Sequence, residues 1–194
     1  LTVTPVSDPP FRISQPQNIT ILEEGSNTSI NMSDHFGDVD NSSFIFSFIS
    51  SNINVSASFI GTIVNITSAL NFFGSALLTL IASDGTANAN ATINVTVLNV
   101  NDAPFLAVPI PNQTFSEDTN VTINLSSFFA DPDNDDLNFT STAPVNVTVA
   151  INNATNTASL APFANFSGIT SVIFTAFDPF GLTAISNNVT INVT

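Results

Sequence analysis

The sequence predicts an all-β protein built as two tandem β-sandwiches of about seven strands each, with one extra strand ahead of the first. Alternation is the first observation. Ile19-Thr20-Ile21, Ile30-Asn31-Met32, Ile93-Asn94-Val95-Thr96-Val97, Val121-Thr122-Ile123-Asn124-Leu125 and Val189-Thr190-Ile191-Asn192-Val193 set an apolar residue at every second position, the pattern of half-buried strands. The second is an internal repeat. Leu22-Glu23-Glu24 through Ile30-Asn31-Met32-Ser33 to Phe36-Gly37-Asp38-Val39-Asp40-Asn41 aligns without gaps on Phe115-Ser116-Glu117 through Ile123-Asn124-Leu125-Ser126 to Phe129-Ala130-Asp131-Pro132-Asp133-Asn134. Asn71-Phe72-Phe73-Gly74 and Ala82-Ser83-Asp84 recur as Asn165-Phe166-Ser167-Gly168 and Ala176-Phe177-Asp178. The third is punctuation by Gly, Pro, Asn and Asp at roughly 8–12-residue spacing, which suits sandwiches of immunoglobulin type.

In chain order, residues 1–10 read as an extra strand and linker, 11–98 as the first repeat, 99–104 as a linker and 105–194 as the second repeat. Residues 1–6 match Val95–Val100, the strand that closes the first repeat, and both repeats already own such a strand. The surplus strand either completes a preceding repeat of a longer polypeptide or is donated to a neighbouring subunit. The runs around Phe44-Ile45-Phe46 and Leu77-Leu78-Thr79-Leu80-Ile81 are predicted as more fully buried strands. The eighteen Phe, without Trp or Tyr, read as core at strand spacing. No stretch shows a helical period.

Charged residues are 8% of the 194, against roughly 25% in ordinary soluble domains. Fifteen are acidic and Arg12 is the one basic residue. Nothing here could neutralise phosphates, which argues against nucleic acid and against cationic docking on membranes. The absence of Cys excludes disulfides and thiolate chemistry. Apolar runs are too short and interrupted to span a bilayer. No leader is visible, so the chain is expected to be a mature product or a segment of something longer. His35, the sole His, aligns with Phe128 and reads as a core or edge residue rather than a base. No Ser has an evident basic partner, and an enzyme is not expected.

The acids are grouped. Asp8 and Asp102 lie in linkers; Glu23, Glu24, Glu117 and Asp118 follow the first strand of each repeat. Asp38 and Asp40, then Asp131, Asp133, Asp135 and Asp136, form Asp-x-Asp clusters; Asp84 and Asp178 end the penultimate strands. Hard oxygen donors without His or Cys suit Ca²⁺, which takes about six to eight oxygens. Plain turn chemistry, with Asp capping its local backbone, is the competing account.

Asn99-Val100-Asn101-Asp102-Ala103-Pro104-Phe105 resembles the cadherin linker motif Asp-x-Asn-Asp-Asn-x-Pro-x-Phe. Ala130-Asp131-Pro132-Asp133 resembles its Asp-x-Asp element, and Ala176-Phe177-Asp178 its Ala-x-Asp element. Across nearly its whole length the chain is similar to cadherin-like tandem repeats of prokaryotic and archaeal surface proteins. The resemblance implies an inter-repeat calcium site from Glu24, Asn99, Asn101, Asp102, Asp131, Asp133 and Asp178. It also implies a half site from Asp8, Asp38, Asp40 and Asp84, and Glu117 serving a following repeat. Asn99 in place of the leading Asp, Ala103 in place of the second Asn, and the lack of an Asp-Arg-Glu motif imply fewer or more weakly held ions.

Seventeen of the 26 Asn stand in Asn-x-Ser/Thr sequons, the acceptor pattern for N-glycosylation. They are Asn18, Asn27, Asn31, Asn41, Asn54, Asn65, Asn90, Asn94 and Asn112, then Asn120, Asn124, Asn138, Asn146, Asn153, Asn165, Asn188 and Asn192. Alternating strands with polar outer faces produce some of these without sugar, yet the same alternation turns them outward. The sequence therefore points to a structural, extracellular surface or filament segment, calcium-stiffened and N-glycosylated. Its expected partners are neighbouring repeats or copies of itself, with strand donation as one route. The alternative is an adhesin that recognises a protein or glycan through loops at a sandwich end.

Overall fold

The computed structural model describes residues 7–40 and 43–194. The strand expected over residues 1–6 and the sequon at Asn41 lie outside the described residues. The chain divides between Val100 and Asn101 into two compact units, a boundary that falls inside the expected 99–104 linker.

Unit 1 contains β1 (Phe11–Arg12), β2 (Ile19–Leu22), β3 (Ser26–Asn31), β4 (Phe36–Gly37), β5 (Ile45–Ser50), β6 (Val55–Ile60), β7 (Ile63–Ser68), β8 (Gly74–Ser83) and β9 (Asn88–Leu98). One sheet runs β2-β9-β8-β5, a second β3-β7-β6, and β1 pairs with β4. Val64, Ile66, Leu78, Leu80, Ile93 and Val95 fill the space between the sheets. β2 joins β9 in parallel, and the other pairings are antiparallel. Ahead of that ladder Asn18 Oδ1 accepts the Asn94 amide at 2.9 Å and Gln15 Nε2 donates to the Thr92 carbonyl at 2.8 Å. Side-chain amides thus satisfy the strand edge where backbone pairing stops.

Unit 2 contains β10 (Phe105–Leu106), β11 (Gln113–Phe115), β12 (Val121–Asn124), β13 (Phe129–Ala130), β14 (Asn138–Ser141), β15 (Val147–Asn152), β16 (Thr157–Pro162), β17 (Gly168–Val172), β18 (Phe174–Phe177), β19 (Thr183–Ile185) and β20 (Val189–Val193). Its sheets run β11-β20-β17, β14-β18-β19 and β12-β16-β15, with β10 against β13. The long β8–β9 hairpin of unit 1 appears here as two shorter pairs. The break falls at Ser186, a buried residue whose Oγ accepts the Phe174 amide and donates to the Asn187 carbonyl. Asn187 then pairs with both backbone groups of Ile110, at 2.8 and 2.9 Å.

Two expectations are corrected. The Phe44–Phe46 and Leu77–Ile81 runs are not fully buried strands: Ile45 and Leu77 are exposed while Leu78 and Leu80 are sealed. Both lie along the antiparallel β5–β8 pair of a sheet with one face to solvent, where every second residue points out whatever its type. Nor are the Phe uniformly core. Phe36, Phe129, Phe139 and Phe174 are buried, whereas Phe11, Phe73, Phe105, Phe163 and Phe180 are exposed, because the thin inter-sheet layer is filled by Val, Ile, Leu and Ala.

The structure also refines the repeat alignment. Glu23 N donates to Leu98 O, as Glu117 N donates to Thr194 O, and Glu24 and Asp118 share left-handed φ of 53° and 61°. Glu23, not Glu24, therefore corresponds to Glu117. Unit 1 holds one residue more before Ile30, and β3 absorbs it in a bulge between Asn27 and Ile30.

Candidate metal centre

In unit 2, a 3₁₀ turn over Leu125–Ser127 buries Leu125 and delivers Phe129 into the core. The chain then emerges as Ala130-Asp131-Pro132-Asp133. Asp131 Oδ1 accepts the Asp133 amide at 2.8 Å, and Asp131 O accepts the Asn134 amide at 3.2 Å. Pro132 presets the turn, and Asn134 takes the left-handed φ of 61° that Asn tolerates. Asp133 Oδ2 accepts the Asp102 amide at 2.7 Å. From the end of β18, Asp178 Oδ1 accepts the amides of Phe180 and Leu182 at 2.8 and 2.9 Å, and Oδ2 accepts Asn101 Nδ2 at 2.7 Å.

Carboxylate oxygens of Asp131, Asp133 and Asp135 lie within 4.8 Å of one another. Asn101 Oδ1, Asp131 Oδ2 and Asp135 Oδ2 are buried without a hydrogen-bond partner among the described residues. Buried acceptors are normally paired, so these oxygens are suited to a cation. Burial, and then the charges of Asp131, Asp133, Asp178 and Asp136, hold the Asp135 carboxyl above its ordinary range. For Asp178, burial pushes upward, but the Asn101 amide and the backbone N–H groups of Leu182, Phe180 and Gly181 outweigh it. Its pKa is lowered. The arrangement favours an ionised Asp178 beside an Asp135 that resists ionisation, a balance that a divalent cation would shift. Of the acids gathered here, Asp135 was absent from the set the resemblance implied; only its place in the Asp-x-Asp run signalled it.

Unit 1 repeats the frame. Asp38 Oδ1 accepts the Asp40 amide at 2.8 Å, and Asp40 Oδ2 accepts the Asp8 amide at 2.8 Å. Asp84 Oδ1 accepts from Thr86 N, Thr86 Oγ1 and Ala87 N at 2.6, 2.9 and 2.7 Å. The backbone amides of Ala87 and Thr86 lower the Asp84 pKa. Among the described residues of this unit, no three carboxylates converge.

The remaining predicted ligands are placed as follows. Glu24 is exposed and its Oε1 accepts the Asn71 amide at 2.7 Å. Glu23, which the resemblance passed over, is buried, with Oε1 taking the Val100 amide and Oε2 unpartnered among the described residues. The gapless alignment hid it. Asn99 and Glu117 are exposed. Of the sequon asparagines that are described, none is buried. Asn18 and Asn112 spend Oδ1 on the amides of Asn94 and Thr190, each at 2.9 Å. Asn27, Asn31 and Asn124 accept the hydroxyl of their own sequon Ser at 2.7, 2.9 and 2.8 Å.

One contact escaped sequence reading altogether. Ser14 Oγ lies 2.7 Å from His35 Nδ1, so this Ser does have a basic partner. The pair forms because Ile13 and Ser14 both donate to the His35 carbonyl. Ser14 Oγ also meets the Asp34 backbone carbonyl, at 3.1 Å.

A family model described as Bacterial Ig domain matches residues 101–194, which is unit 2. No curated protein matches the chain. Among solved structures, one crystal form of human protocadherin-24 EC1-2 is 15% identical, covering 96% of this chain and 99% of that chain with a TM-score of 0.58. A second form is 16% identical over 97% of this chain and 99% of that one, with a TM-score of 0.55. The chain spans only 28% of an endo-fucoidan hydrolase of glycoside hydrolase family 107, at 20% identity over 95% of this chain and a TM-score of 0.43. The fold is thus that of tandem immunoglobulin- and cadherin-like β-sandwiches. No helix among the described residues is long and apolar enough to cross a membrane.

Proposed function

We propose that this chain is a non-catalytic structural segment of an extracellular surface or filament assembly, which binds Ca²⁺ and carries N-linked glycans. The observation that carries the reading is the unit 2 loop, where three carboxylates converge and buried oxygens of Asn101, Asp131 and Asp135 lack partners among the described residues. Asp131, Asp133 and Asp135 would hold the ion, with Asn101, Asp102 and Asp178 completing the oxygen set; Ca²⁺ tolerates such irregular geometry. Asp8, Asp38, Asp40 and Asp84 would form a weaker site. Binding to the folded state alone stabilises it by mass action. The solvent-accessible sequon asparagines support a glycosylated surface, which keeps a Lys-free protein soluble. Assembly would proceed through neighbouring repeats or further copies, with strand donation between subunits as one route.

The test is calorimetric titration of the full chain with Ca²⁺, followed by the Asp131→Ala and Asp135→Ala variants. Saturable binding that both variants abolish supports the reading. Absence of binding at millimolar Ca²⁺ would reduce the clusters to turn chemistry.

A further inference from the structure

The loop between β14 and β15 and the one after β16 enclose a groove of about 400 Å³ lined by Ser141, Thr142, Pro144, Val147, Thr148 and Phe163. That is near the small end of ligand clefts, which run about 300–1,000 Å³. Phe163, 52% exposed, is the one aromatic ring among these lining residues. Its backbone N–H donates to Asn146 O at 2.9 Å, so the ring and the Asn146-Val147-Thr148 sequon are tied together. Asn146 is exposed with a left-handed φ of 61°, and two residues of its own sequon form the groove wall.

The wall is chemically two-sided. Phe163 and Pro144 offer an apolar surface, with Val147 sealed into the core beneath them. Thr142 Oγ1 accepts from Ile173 N at 3.0 Å, which leaves its proton to donate outward; Thr148 Oγ1 donates to Ala161 O at 3.1 Å, which leaves lone pairs to accept. An apolar ring face in a groove that two hydroxyl-bearing Thr residues also line matches a pyranose, whose C–H face is apolar and whose rim is hydroxylated. Unit 1 has the same backbone arrangement without the ring, since Ala69 N donates to Asn54 O at 2.7 Å.

We infer that this groove seats the first sugars of an N-linked glycan attached to Asn146 of the same chain. The inference rests on the glycosylation reading above and names one site and its cradle. Attachment joins Asn146 Nδ2 to the anomeric carbon of a saccharide activated on a lipid-phosphate carrier; the carrier leaves as its phosphate and Nδ2 gives up one proton. The tether keeps the sugar at high local concentration beside Phe163, so a shallow groove suffices.

The experiment uses the full chain made in an N-glycosylating host, with occupancy of every sequon mapped by peptide mass spectrometry. Melting is then compared for wild type, Asn146→Gln, Phe163→Ala and the double variant. Asn146 is expected to be occupied, and Asn146→Gln is expected to lower Tm by about 4 °C. In the Phe163→Ala background that fall should shrink to the one Gln causes at the left-handed φ of 61° when both chains are made without sugar, and Asn54→Gln should cause no Phe163-dependent fall. Amide exchange over residues 141–149 should be slower in the glycosylated form. An empty Asn146 beside occupied sequons, or an equal Tm fall in both backgrounds, overturns the cradle and leaves the wider glycosylation reading standing. A chain with every sequon empty overturns both.

Discussion

Asp40 N meets Asp38 Oδ1 and Asp133 N meets Asp131 Oδ1, both at 2.8 Å; Asp8 N meets Asp40 Oδ2 at 2.8 Å and Asp102 N meets Asp133 Oδ2 at 2.7 Å. The acidic loops of the two units are thus built on one frame. They differ in what is added to it. Unit 2 has Asp135 within reach of two other carboxylates, Asn101 bonded to Asp178, and an Asp178 that is 2% exposed. Unit 1 has Ser7 where unit 2 has Asn101, and Asp84 remains only half-buried. Turn chemistry accounts for the shared frame, because each shared bond satisfies a backbone amide. It does not account for the additions, which bring like charges together. The frame is architecture, and the extra oxygens are the part that the proposed cation would occupy.

Calcium should separate the units most. At a hundredfold excess over its dissociation constant, an ion stabilises the state it binds by about 2.7 kcal/mol, or roughly 10–20 °C in a domain of this size. Melts in millimolar Ca²⁺ and in chelator, with hydrogen exchange resolved by unit, should show unit 2 rising by that order and unit 1 by much less. Equal shifts would break the comparison.

Asp178→Ala is expected next in size, because it strands the N–H groups of Phe180 and Leu182 and the Asn101 amide. Asp84→Ala should destabilise unit 1 less, since its partners can turn to water. Thermal melts of the two variants in chelator measure the difference directly.

Asp135→Asn should raise unit 2 stability in chelator at neutral pH and remove its calcium response. The pH dependence carries the same contrast. Asp84 and Asp178 have lowered pKa values, so their contribution is present above the ordinary Asp pKa of about 4 and is lost as pH falls through the still lower folded values. Asp135 has a raised pKa, so its ionised form costs stability, and that cost is relieved as pH falls through the raised value toward about 4. In chelator, unit 1 should only lose stability on acidification. Unit 2 should gain first and lose later, which exchange measurements from pH 7 to pH 3 would reveal.

The smallest expected effect is that of Asn101→Ser, which gives unit 2 the residue found at that place in unit 1. Loss of the bond from Asn101 to the Asp178 carboxylate should lower unit 2 stability only slightly, because the shorter Ser leaves room for water to replace it. It should weaken calcium binding several-fold by calorimetry without abolishing it.

The strands were legible because period-two alternation is imposed by the pleat itself: Ile93, Val95 and Val97 are sealed, with Asn94 and Thr96 facing outward. The Asp-x-Asp frame was legible because its spacing is local. Burial of Glu23 was not, since its equivalent Glu117 is exposed and a gapless alignment sets Glu24 opposite Glu117 instead. Ser14 and His35 meet through backbone bonds between segments 21 residues apart, which no local pattern encodes. The exposed aromatic rings were misjudged because hydrophobicity states a preference, and a thin sandwich has limited room to honour it.

The bulge between Asn27 and Ile30 bears on how such a repeat can diverge. An added residue in a strand inverts every side chain beyond it, so a one-codon insertion would ordinarily be lethal to the fold. Here Asn27 Oδ1 gathers both Ser29 N and Ser29 Oγ, at 2.9 and 2.7 Å, and Ile30 returns to the core. The register error is contained within one edge strand. Duplicated copies can therefore drift in length by single residues while the rest of the sandwich inherits its pairing unchanged.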